Sequence, residues 1–175
     1  EKLPSVPVMH MDFWIPPKKD PDLAETIAIS TSPTQVVYTL PQTRKDAWSL
    51  LVSSPAPFEK VWARFNRSLS NVRVVTETLE SKPPGTPDLP PGRIANSFFR
   101  VGIESANPAD ISVAAVVAFV DKSWLNANQV HKRSIEFNRF DKQQNAWVPS
   151  LTKRVRETSE RLFFAVMLPG FSDLA

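Results

Sequence analysis

Short stretches in which apolar and polar residues alternate recur along the chain, separated by prolines and polar turn residues. An alternation with a period of two is typical of β-strands, because successive side chains of a strand point to opposite faces. About ten short strands with turn signals between them predict an all-β protein with the architecture of a β-sandwich. The predicted strands cover residues 8–15, 26–30, 35–40, 48–52, 58–65, 72–79, 93–104, 112–120, 134–140, 146–150 and 162–168.

A few segments depart from simple alternation. Residues 113–120 are apolar on both faces, which predicts a central strand that is buried on both sides. Residues 123–129 predict one or two helical turns, and Asp121 or Ser123 can cap their start. Two further segments have weaker helical signals, residues 20–25 and residues 154–161. The second of these fits a strand of a hairpin equally well.

Proline is unusually frequent, with 17 prolines against 4 glycines. Its share is near twice the usual value of about 5%, and it is spread along the chain. Proline breaks helix interiors but is tolerated at strand ends and sheet edges, so this distribution supports the all-β prediction. It also stiffens loops by lowering the conformational entropy of the unfolded chain.

The later part of the chain carries an ordered series of motifs. They are, in order, the strand at 72–79, Lys82-Pro83, the proline-rich loop at 84–91, the aromatic pair Phe98-Phe99, Trp124, Trp147 and the corner Pro169-Gly170-Phe171-Ser172. In this order and spacing, the chain from about residue 57 to residue 175 resembles the PGF-pre-PGF domain of archaeal cell-surface proteins.

The resemblance implies a fold, a compartment and a role. It implies an immunoglobulin-like or jelly-roll β-sandwich over residues 57–175, with Trp124 anchoring its helical turn and Trp147 packed under the Pro169-Gly170 corner. Residues 1–56 are expected to add N-terminal strands and an extension to the same sandwich. Such domains lie outside the cell and are not known as enzymes, so a structural or adhesive role at the cell surface is expected.

Composition narrows the choice of partners. The formal net charge of +3 is too small to indicate binding to nucleic acid. Cysteine is absent, which excludes thiol catalysis and disulfides. The longest apolar stretch, residues 113–120, is far shorter than the roughly 20 residues of a membrane-spanning helix. We therefore expect no membrane span, and we expect the partners to be other cell-surface proteins or copies of the same chain.

No catalytic motif is present. The sequence contains no Walker loop, no glycine-rich dinucleotide motif, no HExxH and no GxSxG, so we expect neither an enzyme nor a bound cofactor. His10 and Asp12 share one face of a predicted strand, but two ligands do not fix a copper or zinc ion. Asp20, Asp22 and Glu25 form the densest acidic group, and calcium is the one ion that this group suggests.

Two further features concern the surface. Asn66-Arg67-Ser68 matches the N-glycosylation sequon, which suggests an exposed loop of an exported protein. Five tryptophans suggest carbohydrate stacking as an alternative, and a carbohydrate- or peptide-binding module is therefore one hypothesis. Each tryptophan lies within an alternating apolar pattern, however, which favours packing inside the fold.

The N-terminal segment suggests another function. Residues 6–15 are apolar, and Pro16-Pro17 separates them from the rest of the chain. An extended segment of this kind can add a strand to another copy of the protein, which would build an extracellular filament. The side chains that define this strand-donation segment are Val8, Met9, Met11, Phe13 and Ile15.

Overall fold

The computed structural model describes residues 27–30, 34–52, 58–171 and 173–175, which fold into two antiparallel β-sheets. The all-β sandwich predicted from the alternation is confirmed. The strands are, in chain order, β1 (Ile27–Ser30), β2 (Gln35–Gln42), β3 (Trp48–Val52), β4 (Phe58–Phe65), β5 (Ser70–Leu79), β6 (Phe98–Ile103), β7 (Ile111–Asp121), β8 (Phe137–Asp141), β9 (Ala146–Ser150), β10 (Thr152–Glu157), β11 (Arg161–Leu168) and β12 (Asp173–Leu174). A 3₁₀ turn (Pro108–Asp110) precedes β7, and a short helix α1 (Lys122–Ala127) follows it.

Seven strands form one sheet and five form the other. The seven-stranded sheet has the spatial order β1-β2-β5-β6-β12-β8-β9, and the five-stranded sheet has the order β10-β11-β7-β4-β3. Leu151 alone separates β9 from β10, so the chain passes from one sheet to the other within a single residue. Residues 27–52 contribute to both sheets, because β1 and β2 belong to the larger sheet and β3 to the smaller one.

The main core lies between the two sheets. Ala114, Val116 and Ala118 alternate along β7 and are at most 4% exposed. They belong to one apolar cluster with Val72 and Val74 of β5, in the other sheet. Burial of this apolar surface, worth about 25 cal/mol per Å², is the main force that holds the two sheets together.

β7 is buried on both faces, as predicted, and it lies between β11 and β4 in the five-stranded sheet. Ala115, Val117 and Phe119, which alternate with the main-core residues along β7, belong to a second apolar cluster, whose described members all come from the five-stranded sheet. This cluster therefore lies on the face of that sheet that points away from the main core. We call it the outer-face cluster, and its members are Trp48, Trp62, Ala115, Val117, Phe119, Phe163, Ala165 and Met167.

Two strands begin later than predicted, each after a turn. β6 begins at Phe98 instead of residue 93, because the backbone N–H of Arg93 donates to the carbonyl of Pro90 at 3.2 Å and Gly92 adopts a φ of 80°. β8 begins at Phe137 instead of residue 134, because Ser134 donates its backbone N–H to the carbonyl of His131 at 2.9 Å. Both displaced segments line a cavity.

The C-terminal part resolves one open prediction and adds a strand. Residues 154–161 do not form a helix: β10 pairs antiparallel with β11 in a hairpin. β12 was not predicted, because its two residues are too few to show an alternation. It lies between β6 and β8 and joins them into one sheet.

A short helix lies close to the predicted residues 123–129, but neither of the two residues predicted to cap it does so. α1 begins after Asp121, but the side chain of Asp121 makes no capping hydrogen bond and instead accepts from Arg161 Nε at 2.9 Å. Ser123 lies within the helix. In the described ranges, no helix has the length and the apolar character needed to cross a membrane.

Two edge strands carry features that discourage pairing with another chain. β9 contains Pro149, which has no N–H to donate. β10 carries Lys153, Arg154 and Arg156, with a register shift between the two arginines. Charged side chains and irregular pairing of this kind are common protection for sheet edges.

Candidate functional site

A cavity of about 770 Å³ opens at one end of the sandwich. The loop 89–97 before β6 and the segment 128–136 between α1 and β8 provide most of its walls, together with residues 118–120 of β7. We call it the end cavity. Its volume is within the range of small-molecule pockets, about 300–1,000 Å³.

The floor of the end cavity is aromatic and belongs to the main core. Phe99, Phe137 and Phe164 line it, and they are 3–7% exposed. The rings of Phe99 and Phe137 meet edge to face with centroids 5.9 Å apart, and Phe58 packs on Phe99 at 4.6 Å. Both sheets therefore contribute rings to the floor, which offers an apolar surface to a group that enters.

Aliphatic and indole side chains form the walls. Trp124, Val130 and Ile135 are partly buried and pack against the main core. Ile94, on the loop 89–97, is 55% exposed, although it is a large apolar residue. Apolar side chains around a concave opening are typical of surfaces that bind a partner or a ligand.

The polar residues of the end cavity are mostly engaged. An ion pair joins Arg93 to Glu136 and so links the loop 89–97 to the segment before β8. Asn138, which also lines the cavity, exchanges two backbone hydrogen bonds of 2.8 and 2.9 Å with Ala175. Its Oδ1 is buried and has no hydrogen-bond partner among the described residues, which is a local cost in stability.

The lining residues include a histidine and a serine, and each is hydrogen-bonded to a backbone group. The Ser134 hydroxyl donates to the backbone carbonyl of His131 at 2.7 Å, not to its imidazole. The Nδ1 atom of His131 accepts from the backbone N–H of Arg133 at 3.2 Å. Glu136 is paired with Arg93. Among the lining residues, therefore, no base is aligned on a nucleophile, and the arrangement suits binding of an apolar group.

Carboxyl groups with a lowered pKa lie away from the end cavity. Arg67 holds the pKa of Asp110 below its usual value through two hydrogen bonds of 2.8 and 2.7 Å. A hydrogen bond from Lys122 lowers the pKa of Glu157 in the same way. Perturbed groups of an active site converge in a cleft, whereas these belong to separate ion pairs. No three His, Asp or Glu side chains of the described residues form a metal site.

The two tryptophans of the motif series hold neighbouring segments to the sandwich. Trp124 lies on α1 and packs against the main core, as the resemblance implies. The indole N–H of Trp147 donates to the carbonyl of Pro87 at 2.8 Å, and its ring contacts Phe98 and Phe140. The structure therefore places Trp147 against the proline-rich loop. Its packing under the Pro169-Gly170 corner, which the resemblance implies, stays a prediction.

The corner is described except for Ser172, and the sequon is described in full. Pro169 and Gly170 form a bend after β11, and Phe171 is partly buried against the main core. Asn66 is exposed, and its Nδ2 donates to the carbonyl of Ala109 at 2.8 Å. A glycosylated amide keeps one N–H, so attachment of a glycan is compatible with this hydrogen bond.

Other predicted residues lie outside the described ranges. They are Val8, Met9, Met11, Phe13 and Ile15 of the strand-donation segment, His10 and Asp12, the acidic group Asp20, Asp22 and Glu25, and Ser172 of the corner. The strand at 8–15, the helical turn at 20–25 and the calcium site stay predictions.

Sequence patterns do not point to the end cavity. Arg93 and Glu136 are far apart in the sequence, and no motif connects them. Pro90-Pro91-Gly92 is the one local signal, because it is a turn motif directly before the strand predicted at 93–104. A turn predicted at residues 90–92 would have placed Ile94 in a loop and not in a strand.

Comparisons with known proteins give no family. A scan against protein-family models found no match, and searches of curated proteins and of solved structures found none either. The chain itself defines an all-β sandwich with an apolar cavity at one end. The likeness to the PGF-pre-PGF domain rests on the sequence motifs alone.

Proposed function

We propose that the protein is a non-enzymatic, extracellular adhesion module of a cell surface and that it holds its partner through the end cavity. The observation that carries this proposal is the apolar floor of the end cavity, together with polar lining residues that are mostly engaged in hydrogen bonds or an ion pair. The motif series supports an archaeal cell-surface setting. The partner is another surface protein or a second copy, and it contributes an apolar side chain to the cavity.

The outer face of the seven-stranded sheet supports a structural role beside the adhesive one. Arg100 of β6 donates to Asp173 of β12 at 2.6 Å and to Glu77 of β5 at 3.3 Å, so one guanidinium ties three strands. A single exposed ion pair contributes little, but a network with good geometry contributes more. A scaffold tied across its strands is suited to bear the load of adhesion.

Two substitutions of alanine by tryptophan, one in the wall of the end cavity and one outside it, test the role of the cavity. Ala95 lies in its wall, and Ala106 lies in a loop that does not line it; both are partly exposed. Peptides would be selected from a random displayed library with the full chain as bait, and their affinity measured by calorimetry. Ala95→Trp fills the cavity and should weaken binding by about tenfold or more, which is about 1.4 kcal/mol or more. Ala106→Trp should leave the affinity unchanged.

Two results would contradict the proposal. Peptides that bind the wild-type chain and Ala95→Trp equally well would show that the cavity is not the contact. A hydrolytic turnover by the purified chain that Glu136→Gln abolishes would show that the protein is an enzyme.

A further inference from the structure

We infer that residues 6–15 of the same chain cover the outer-face cluster. This inference concerns a different surface from the end cavity, and it stands whether or not the end cavity binds a partner. It assigns to the apolar N-terminal segment a place on the protein's own five-stranded sheet.

The outer-face cluster is buried, although the described residues supply no second layer above it. Ala115, Val117 and Ala165 are 3–5% exposed. All the described members of the cluster come from β3, β4, β7 and β11, which belong to one sheet. The neighbouring aromatic rings and the arginines stacked on them supply part of the cover over these small side chains. An apolar sheet face is stable only when it packs on another element.

The register of the strands gives the outer-face cluster the shape of a shallow groove. Ala165 of β11 pairs with Val117 of β7, so two small side chains lie side by side. The rings of Phe119 and Phe163 border them on one side, with centroids 5.9 Å apart. Trp62 lies on the other side, opposite Ala115. A groove with small side chains at its base and aromatic rings along its sides fits an extended segment with large side chains.

Cations border this groove and leave its centre apolar. The guanidinium groups of Arg156 and Arg161 lie 3.8 and 4.0 Å from the centroids of two phenyl rings of the cluster. The ammonium group of Lys60 lies 5.8 Å from an indole centroid of the cluster. Arg156 and Arg161 are already paired with Glu59 and Asp121, at 2.6 and 2.9 Å. The inference therefore rests on the apolar side chains of residues 6–15 and not on the charge of Asp12.

The sequence offers one segment of the right composition. Residues 6–15 read VPVMHMDFWI, whereas the other residues outside the described ranges, 1–5, 16–26, 31–33, 53–57 and 172, are mostly proline, polar or charged. The apolar surface of both partners would leave water together, which favours their contact.

The chain is long enough to bring the segment there. Residues 16–26 connect it to β1, and 11 residues span up to about 36–40 Å when extended. The paired neighbour of β1, β2, contacts β3 at the edge of the five-stranded sheet. Five strands are about 20 Å wide at a spacing of roughly 4.8 Å, so the segment can reach the middle of the sheet.

Photo-cross-linking in the full chain tests this inference. The chain has no cysteine, so Met11→Cys provides a single thiol for a benzophenone label. After irradiation, mass spectrometry of the monomer should locate intrachain cross-links in β4, β7 and β11. The control is Gln143→Cys, at the exposed turn between β8 and β9, which should give no cross-link to those strands.

Two outcomes of this experiment would overturn the inference. One is a set of intrachain cross-links that avoids the outer-face cluster. The other is cross-links only between two copies, which would mean that the segment is donated to a neighbour and would favour a filament.

Oxidation of Met167 provides a second measurement. Met167 belongs to the outer-face cluster and is partly buried. In the variant that combines Met11→Asp with Phe13→Asp, the cover should be lost, and hydrogen peroxide should oxidise Met167 several-fold faster than in the wild type. The combination of Lys18→Asp with Lys19→Asp should leave the rate unchanged. An unchanged rate in the first variant would contradict the inference.

Discussion

At the scale of single residues, charged side chains hold loops of this protein in place. Arg67, in the loop after β4, donates hydrogen bonds to both carboxylate oxygens of Asp110 at 2.8 and 2.7 Å. The same carboxylate accepts the backbone N–H of Asn107 at 3.2 Å and so closes the 3₁₀ turn before β7. A two-pronged arginine–carboxylate contact is more directional than an ordinary surface ion pair. This pair therefore holds the loop after β4 against the 3₁₀ turn before β7.

The Arg67–Asp110 pair predicts a pH-dependent stability. Arg67 lowers the pKa of Asp110 in the folded protein, so the pair stabilises the fold above the unfolded value of about 3.9. This stabilisation is lost as the pH falls through the lowered pKa. Arg67→Met should therefore lower the melting temperature by a few degrees at pH 7, and the difference from the wild type should vanish in strong acid. Thermal melts over a pH series measure it.

An exposed ion pair is the control for this prediction. Arg73 and Glu104 are about half exposed and lie 3.3 Å apart. Arg73→Met should change the melting temperature little at any pH. A loss for Arg67→Met that persists undiminished in strong acid would mean that packing of the long side chain, not its charge, stabilises the loop.

At the scale of the elements, local patterns predicted most strands and missed what depends on distant partners. Residues 58–65 and 146–150 were predicted with the bounds that β4 and β9 have, because their own residues alternate and lie between turn signals. β6 and β8 were predicted too long, since their first residues are drawn into turns around the end cavity. β12 and the end cavity have no local signal, because both exist only where separate segments meet.

β12 shows how a short element can matter more than its length suggests. Its two residues pair with β6 on one side and with β8 on the other. Leu174 is fully buried in the main core, and Asp173 receives the hydrogen bond of Arg100. Without β12, the seven-stranded sheet would divide into a four-stranded part and the β8–β9 hairpin.

Leu174→Ala should be strongly destabilising. The substitution leaves a cavity in the main core, and buried Leu→Ala changes cost about 2–5 kcal/mol. Leu151→Ala is the matched control: Leu151 is 53% exposed, and surface changes usually stay within about 0.5 kcal/mol. Urea unfolding followed by tryptophan fluorescence measures both variants. Equal free energies of unfolding for the two would contradict the role assigned to β12.

At the scale of the whole molecule, strands from early and late parts of the chain share one core. Tyr38 and Leu40 of β2 are each 3% exposed and belong to the same cluster as Leu162 and Leu168 of β11. The region of resemblance begins near residue 57, but β2 and β3 precede it, and between them they contribute to both sheets. The fold therefore does not divide at the start of this region.

A fragment of residues 57–175 should not fold by itself. The fragment lacks β2, so the edge of β5 that pairs with β2 would be exposed. Val72 and Val74 of β5 are at most 1% exposed in the full chain. We expect the full chain to unfold in a single cooperative transition and the fragment to show none. Circular dichroism during heating distinguishes the two. A fragment that melts cooperatively near the midpoint of the full chain would instead support an independent domain from residue 57.

The place of β12 also has a consequence for biosynthesis. Residues 173 and 174 leave the ribosome after every other described strand, yet they lie in the interior of the larger sheet, not at its edge. The edges of β6 and β8 that pair with β12 therefore stay without this partner until Leu174 has left the ribosome. During that interval these two edges are available to chaperones, and also to nascent chains on neighbouring ribosomes.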